Sequence, residues 1–149
     1  MAAGVGAFIA NFAAEFVKGR VRKSQSVESA RDEDLGRLLR MVSDLEELAT
    51  EYWTASGPSL GSNEILLRAK IVARQQHLLE LIAHMFTGQP KRECDVVVTD
   101  LLDAIGGDDF GVPDRDAHPE RLTAVYQYSL KFGHLAQKKR RSLRRGWLA

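Results

Sequence analysis

The sequence predicts an all-α protein: an N-terminal hydrophobic helix, which is a candidate membrane span, followed by a small four-helix bundle. Apolar residues recur at steps of three and four along four later segments, which is the helical period. The valine run at residues 96–98 would suit a strand, but the chain offers no second strand to pair with it. Short connections between consecutive helices favour antiparallel neighbours, as in a bundle.

Three segments are expected in the 149 residues. Residues 1–23 form the hydrophobic, possibly transmembrane helix with a basic flank. Residues 24–34 are polar and lack periodicity, so they form a linker or a helix start. Residues 35–149 form a cytoplasmic helical bundle with a basic last helix.

The N-terminal helix has three faces when its residues are placed 100° apart. One face is aromatic and aliphatic. A narrow polar stripe and a small-residue face complete the circumference. The polar stripe comprises Asn11, Glu15 and Lys18, and the small face comprises Ala3, Ala7, Ala10 and Ala14.

Four interpretations of this segment compete: a secretion signal, a soluble core helix, a surface helix and a membrane span. No Lys or Arg precedes the apolar run, which argues against a secretion signal. The polar face is narrow for a helix lying in a membrane surface. Residues 2–17 rise about 24 Å, somewhat less than a hydrocarbon core of ~30 Å. A snorkelling Lys18 would extend the span, and the basic flank would lie on the cytoplasmic side. We favour the span, with the soluble core helix as the main alternative.

A homo-oligomer would give each of the three faces of such a span a role, with the aromatic and aliphatic face towards lipid. The alanines would make span-to-span contacts, because small residues let helix backbones approach. Asn11 and Glu15 would line a central axis, where a carboxylate ring favours cations. The expectation is therefore an ion-conducting pore with the lipid bilayer as its surroundings.

Four further helices are predicted, over about 35–55, 64–86, 93–107 and 120–145. Tyr52 and Trp53 end the first of these and are expected in the core or at its edge. The second is expected to bury one apolar stripe: Ile65, Leu66, Ala69, Val72, Leu79, Ile82 and Phe86.

Charge is divided unevenly along the second half of the chain. Residues 93–120 contain nine acids and one base, Arg115, whereas residues 121–149 contain eight bases and no acid. An exposed acidic loop is expected at residues 108–116, either surrounded by solvent or paired with the basic last helix. The basic end would bind phosphate of lipid headgroups, an oligonucleotide or other nucleic acid, or remain a solvated tail. The expected phosphate contacts are Lys138, Lys139, Arg140, Arg141, Arg144 and Arg145.

No catalytic or metal motif stands out in the sequence. The single Cys94 lacks a local catalytic signature. His77, Glu80 and His84 have helical spacing, but no second ligand-bearing motif accompanies them. The prediction is a non-enzymatic protein without a metal or cofactor.

At "TEYWTA", "AIGGDDF" and "RDAHPERL" the sequence resembles a group of small bacterial helical proteins of anti-phage defence loci, which carry an N-terminal hydrophobic segment. The resemblance implies an effector that acts on the inner membrane when a regulatory partner protein releases it. It assigns no functional residue. The expected function is thus an oligomeric membrane effector gated by its cytoplasmic bundle. The alternative is a soluble cytoplasmic all-α adaptor or regulatory oligomer whose basic last helix binds an anionic partner.

Overall fold

The computed structural model describes the backbone from Gly4 to Arg145 and the side chains of residues 25–143. It contains five helices and, within residues 4–145, no strand, so the all-α prediction is confirmed. The helices are α1 (Gly4–Thr54), α2 (Gly57–Leu60), α3 (Asn63–Met85), α4 (Gly88–Gly106) and α5 (Arg121–Arg145).

The chain divides into two compact units, Met1–Asp34 and Leu35–Ala149. In the first unit, residues 25–34 belong to α1, so the polar segment expected as a linker or helix start is helical. The predicted polar stripe (Asn11, Glu15, Lys18) and alanine face (Ala3, Ala7, Ala10, Ala14) lie outside the described side chains.

In the second unit, α1 runs antiparallel to α3. The Tyr52 hydroxyl donates to Glu64 Oε1 at 3.2 Å near the end of α1. Further from that end, Asp44 forms an ion pair with Arg74 at 3.5 Å. Later residues of α3 therefore lie beside earlier residues of α1, as expected for antiparallel helices.

The last helix is also antiparallel to α1. The hydroxyls of Thr50 and Tyr126 share a hydrogen bond of 2.6 Å. At the other end, the Cβ position of Gly133 lies 3.5 Å from Leu39 Cδ2. Short connections reverse the chain between α3 and α4, so Leu35–Thr54, α3, α4 and α5 alternate in direction around one core.

That core draws apolar residues from all four helical segments. Tyr52 and Trp53 are fully buried, as expected from their position at the end of the first bundle helix. Val97 and Val98 are buried within α4, and Val96 is 64% exposed, so the valine run is helical and turns one member outward.

The predicted core stripe of α3 is wrong for most of its residues. Ile65, Leu66, Ala69, Val72 and Leu79 are exposed, whereas Ile82 and Phe86 are buried as expected. The core side of α3 instead presents Leu67, Ile71, Leu78, Leu81 and Ile82. This helix is apolar on two sides, so periodicity alone does not determine which side is buried.

Candidate anion-binding face of the last helix

The last helix carries no acidic residue between Arg121 and Arg145. Leu122, Val125, Phe132 and Ala136 recur at steps of three, seven and four and are buried in the core. Their burial fixes the rotation of α5. The buried side therefore determines which residues of α5 lie on the opposite side and face solvent.

Four basic or titratable side chains lie along the exposed side: Lys131, His134, Lys138 and Arg141. Their steps of three, four and three place them on one line, which we call the basic stripe. The stripe is about 15 Å long, given a rise of about 1.5 Å per residue. Lys138 and Arg141 make no ion pair within the part of the chain that the structure describes.

An open cleft of about 680 Å³ runs along part of this stripe. His134, Lys138 and Arg141 line it together with Gln137 and Ser142. All five residues are hydrogen-bond donors or become donors on protonation. These donors can contact the oxygens of an anion, while most of the exposed cleft surface is apolar.

The other residues predicted to contact phosphate do not belong to the basic stripe. Lys139 is only 17% exposed at its side chain, and its Nζ forms a 2.5 Å ion pair with Glu93 Oε2. The hydrogen bond from Lys139 lowers the pKa of Glu93. Arg140 is buried, with 7% of its surface exposed. The side chains of Arg144 and Arg145 lie beyond those described, although their backbone belongs to α5.

At the opposite end of the bundle, Arg115 is an important residue that sequence reasoning missed. It is 3% exposed. Its Nη2 donates to Tyr52 O at 2.6 Å, and its Nη1 donates to Ala55 O at 2.7 Å. Tyr52 lies in the last turn of α1 and Ala55 directly follows its end, so neither carbonyl has a partner within the helix, and Arg115 caps that end from the distant loop 107–120.

Aromatic rings enclose the Arg115 guanidinium. Its central carbon lies 3.8 Å from the Tyr52 ring centroid and 5.1 Å from that of Trp53. On its other side the loop approaches Gly57, whose amide donates to Arg115 O at 2.9 Å. A Cβ at Gly57 would lie 1.9 Å from Pro113 O, so this approach requires glycine.

The remaining contacts of this end are structural too. Trp53 Nε1 donates to Ile105 O at 2.9 Å, and the His118 amide donates to Trp53 O at 2.8 Å. The Tyr52 hydroxyl accepts a hydrogen bond from the Gly111 amide at 2.9 Å. The acidic segment predicted as an exposed loop is thus fastened to the bundle end. Arg115 could have been suspected as the lone base among nine acids.

The titratable residues considered for catalysis or metal binding do not converge in the described structure. Cys94 is fully buried, and burial, with a smaller effect of Asp95, raises the pKa of its thiol to about 11. His77, Glu80 and His84 are exposed on α3. Among the described residues, no group of three or more His, Cys, Asp or Glu side chains could hold a metal ion.

No helix is long and apolar enough to cross a membrane among the residues that could be described. The segment predicted to span, residues 2–17, falls outside the described side chains. Comparison with protein-family models, with curated proteins and with solved structures gave no match.

Proposed function

We propose that the protein is a non-enzymatic, oligomeric membrane effector, anchored by residues 1–23, whose basic stripe binds the phosphates of anionic lipid headgroups. The observation that carries the phosphate contact is the line of Lys131, His134, Lys138 and Arg141 along a cleft on α5. A Lys or Arg near an anionic bilayer surface contributes about 1 kcal/mol of binding free energy.

The direction of the helices supports a membrane orientation for this stripe. Leu39, near the start of the bundle part of α1, lies beside Gly133 of α5. The residues beyond Gly133, including Lys138 and Arg141, therefore lie at the end of the bundle where α1 enters it. The bundle begins at Leu35, so a chain that continues from an anchor in residues 1–23 joins the bundle at that end.

The pore part of the proposal is supported by the sequence pattern of the N-terminal segment. Asn11 and Glu15 share one helix face, and polar groups at membrane depth require a neighbour or water. In a ring of copies, Asn11 and Glu15 would have both neighbouring helices and the water of a central pore. The bundle would then gate the pore, and a regulatory partner would act on the bundle.

A soluble adaptor that binds an anionic oligonucleotide is the second candidate function. It is favoured by the position of the basic stripe in the Leu35–Ala149 unit, which has an apolar core of its own. Such a unit could present the stripe without any anchor. Salt-dependent binding would be expected in both cases.

Vesicle sedimentation tests the phosphate contact and separates the two candidates. A chain lacking residues 1–23 should sediment with vesicles containing phosphatidylglycerol and remain in solution with phosphatidylcholine vesicles. Lys138→Gln/Arg141→Gln should reduce the bound fraction severalfold, because two headgroup contacts at about 1 kcal/mol each are lost. The matched control, Arg74→Gln/Arg92→Gln, removes two exposed charges from α3 and α4 and should bind normally.

Equal binding by both double variants would overturn the assignment of the stripe. Binding to a single-stranded oligonucleotide in preference to the anionic vesicles, lost in the α5 variant alone, would favour the adaptor function. Vesicle binding that is lost only in that variant supports the membrane function.

A further inference from the structure

The side of α3 that faces away from the core is an exposed apolar surface. Ile65 is 64% exposed, Leu66 is 55% exposed, and Val72 and Leu79 are 41% and 42% exposed. Among the described residues, four of the ten exposed large apolar side chains lie on this helix, and the other six are spread over α1, α4, α5 and the loop 107–120. An exposed apolar helix face of this kind is a candidate interaction site.

Six positions of this surface follow alternating steps of four and three: Ile65, Ala69, Val72, Gln76, Leu79 and Ala83. All six are exposed, and none is charged. We call them the outer seam. Such spacing is the pattern by which one helix packs along another, and the seam is about 27 Å long at about 1.5 Å per residue.

The outer seam is complementary to itself when two copies run antiparallel. Placing Val72 opposite Gln76 of a second copy also places Ile65 opposite Ala83 and Leu79 opposite Ala69. Each of the two largest aliphatic side chains then meets an alanine, which allows close packing of the two helices. A two-fold axis generates each of these pairs twice.

Charge selects the same arrangement. Lys70 and Glu80 are both exposed, on the same flank of the outer seam, and neither forms an ion pair within the described residues. Antiparallel pairing brings Lys70 of one copy towards Glu80 of the other. Parallel pairing would place the two equivalent flanks on opposite sides of the dimer, so Lys70 and Glu80 of different copies would not meet.

We propose that the outer seam of α3 is a homodimer interface, in which a second copy of this chain packs antiparallel across Ile65, Val72 and Leu79. This interface lies in the Leu35–Ala149 unit and does not depend on the phosphate contact or the membrane anchor. In an oligomer joined through residues 1–23, it would supply a separate contact between bundles.

Cysteine cross-linking in the full-length chain tests both the contact and its direction. Ile65→Cys and Ala83→Cys are made separately, mixed in equal amounts in mild detergent and oxidised with copper phenanthroline. The antiparallel interface predicts that the mixture yields several times more cross-linked dimer than either variant alone. Val96→Cys, on the exposed side of α4, is the matched control and should cross-link weakly.

Strong cross-linking of Ile65→Cys with itself would contradict the antiparallel arrangement, since those positions would be about 27 Å apart along the seam. Cross-linking of the mixture no stronger than that of Val96→Cys would overturn the interface. Either result leaves the vesicle-binding test unaffected, so the two proposals fail separately.

Charge reversal gives a second measurement on the same full-length chain. Lys70→Glu should weaken dimerisation about thirtyfold in sedimentation equilibrium, since in each of two symmetric pairs an attraction is replaced by a repulsion of similar size. Lys70→Glu/Glu80→Lys should restore the dimer. Failure of the second change to restore what the first removes would contradict the proposed charge pairing.

Discussion

The guanidinium of Arg115 lies 3.8 Å from the ring centroid of Tyr52 and donates a 2.6 Å hydrogen bond to the carbonyl of the same residue. The two residues are 63 positions apart in the sequence. One buried side chain thus joins the loop 107–120 to the end of α1.

Replacing Arg115 with alanine should lower the free energy of unfolding by about 2–4 kcal/mol, because the buried carbonyl of Tyr52 and the half-buried carbonyl of Ala55 lose their donors. Arg115→Lys should recover only part of this loss, since an ammonium cannot reproduce the fork of the guanidinium. Urea denaturation followed by circular dichroism measures both. Arg74→Ala, which removes an exposed ion pair, is the control and should cost less than about 1 kcal/mol.

A loss for Arg115→Ala no larger than that for Arg74→Ala would show that the loop is not fastened by this residue. That outcome would concern only the attachment of the loop and would not contradict the arrangement of the helices. The assay therefore distinguishes the role of Arg115 from the overall fold.

The Glu93–Lys139 pair should make part of the stability dependent on pH. The hydrogen bond from Lys139 lowers the pKa of Glu93 below its ordinary value of 4.5. A carboxyl with a lowered folded-state pKa stabilises the fold above its unfolded pKa and loses that contribution as pH falls through the folded pKa. The difference in unfolding free energy between wild type and Glu93→Gln should therefore be constant above about pH 5 and shrink towards pH 3.

Glu47→Gln, which removes an exposed carboxyl from α1, controls for the change in net charge. A wild-type advantage over Glu93→Gln that persists unchanged at pH 3 would contradict the assignment. Urea titrations at four pH values between 7 and 3 are sufficient for the comparison.

Cys94 should be unreactive in the folded protein. The thiol is fully buried, and its pKa is raised to about 11. At pH 8 about one thiol in a thousand would be ionised, and the thiolate is the reactive form. Ellman's reagent should release no colour from the native chain and one equivalent after unfolding in guanidinium chloride. Rapid reaction of the native chain would show that Cys94 is accessible.

The helical segments of the bundle and the burial of Tyr52 and Trp53 could be predicted from the sequence, because helix formation follows local periodicity. Which side of α3 faces solvent could not be predicted, since apolar residues occupy two sides of that helix. Only its packing against α1 and α4 determines which side is buried. Arg115 could not be assigned either, because its role depends on contacts with Tyr52 and Ala55 that are distant in sequence.

The candidate phosphate contacts were predicted as one basic run, 138–145. The residues of this run lie on different sides of α5. Lys138 and Arg141 are exposed, while Lys139 is paired with Glu93 and Arg140 is buried. Consecutive residues of a helix point 100° apart. Lys131 and His134 join the exposed pair for the same reason, although they precede the run.

Glu15→Gln should alter the ion conductance or the toxicity of the full-length chain if the polar stripe lines a pore. The change removes a negative charge at the proposed lining and leaves side-chain size nearly unchanged. Planar-bilayer recording and growth of expressing cells measure the two effects. Glu28→Gln, outside the N-terminal segment, is the matched control. Identical conductance and growth for wild type and Glu15→Gln would remove the main support for the pore.

Cell fractionation of the full-length chain and a chain lacking residues 1–23 tests the membrane anchor most directly. The full-length chain should sediment with membranes and remain there after washing with high salt and carbonate. The shortened chain should be released into the soluble fraction by the high-salt wash, because only the salt-sensitive basic stripe would hold it, and it should keep the helical circular dichroism spectrum of the folded bundle. Recovery of both chains as soluble, folded protein would contradict the central proposal.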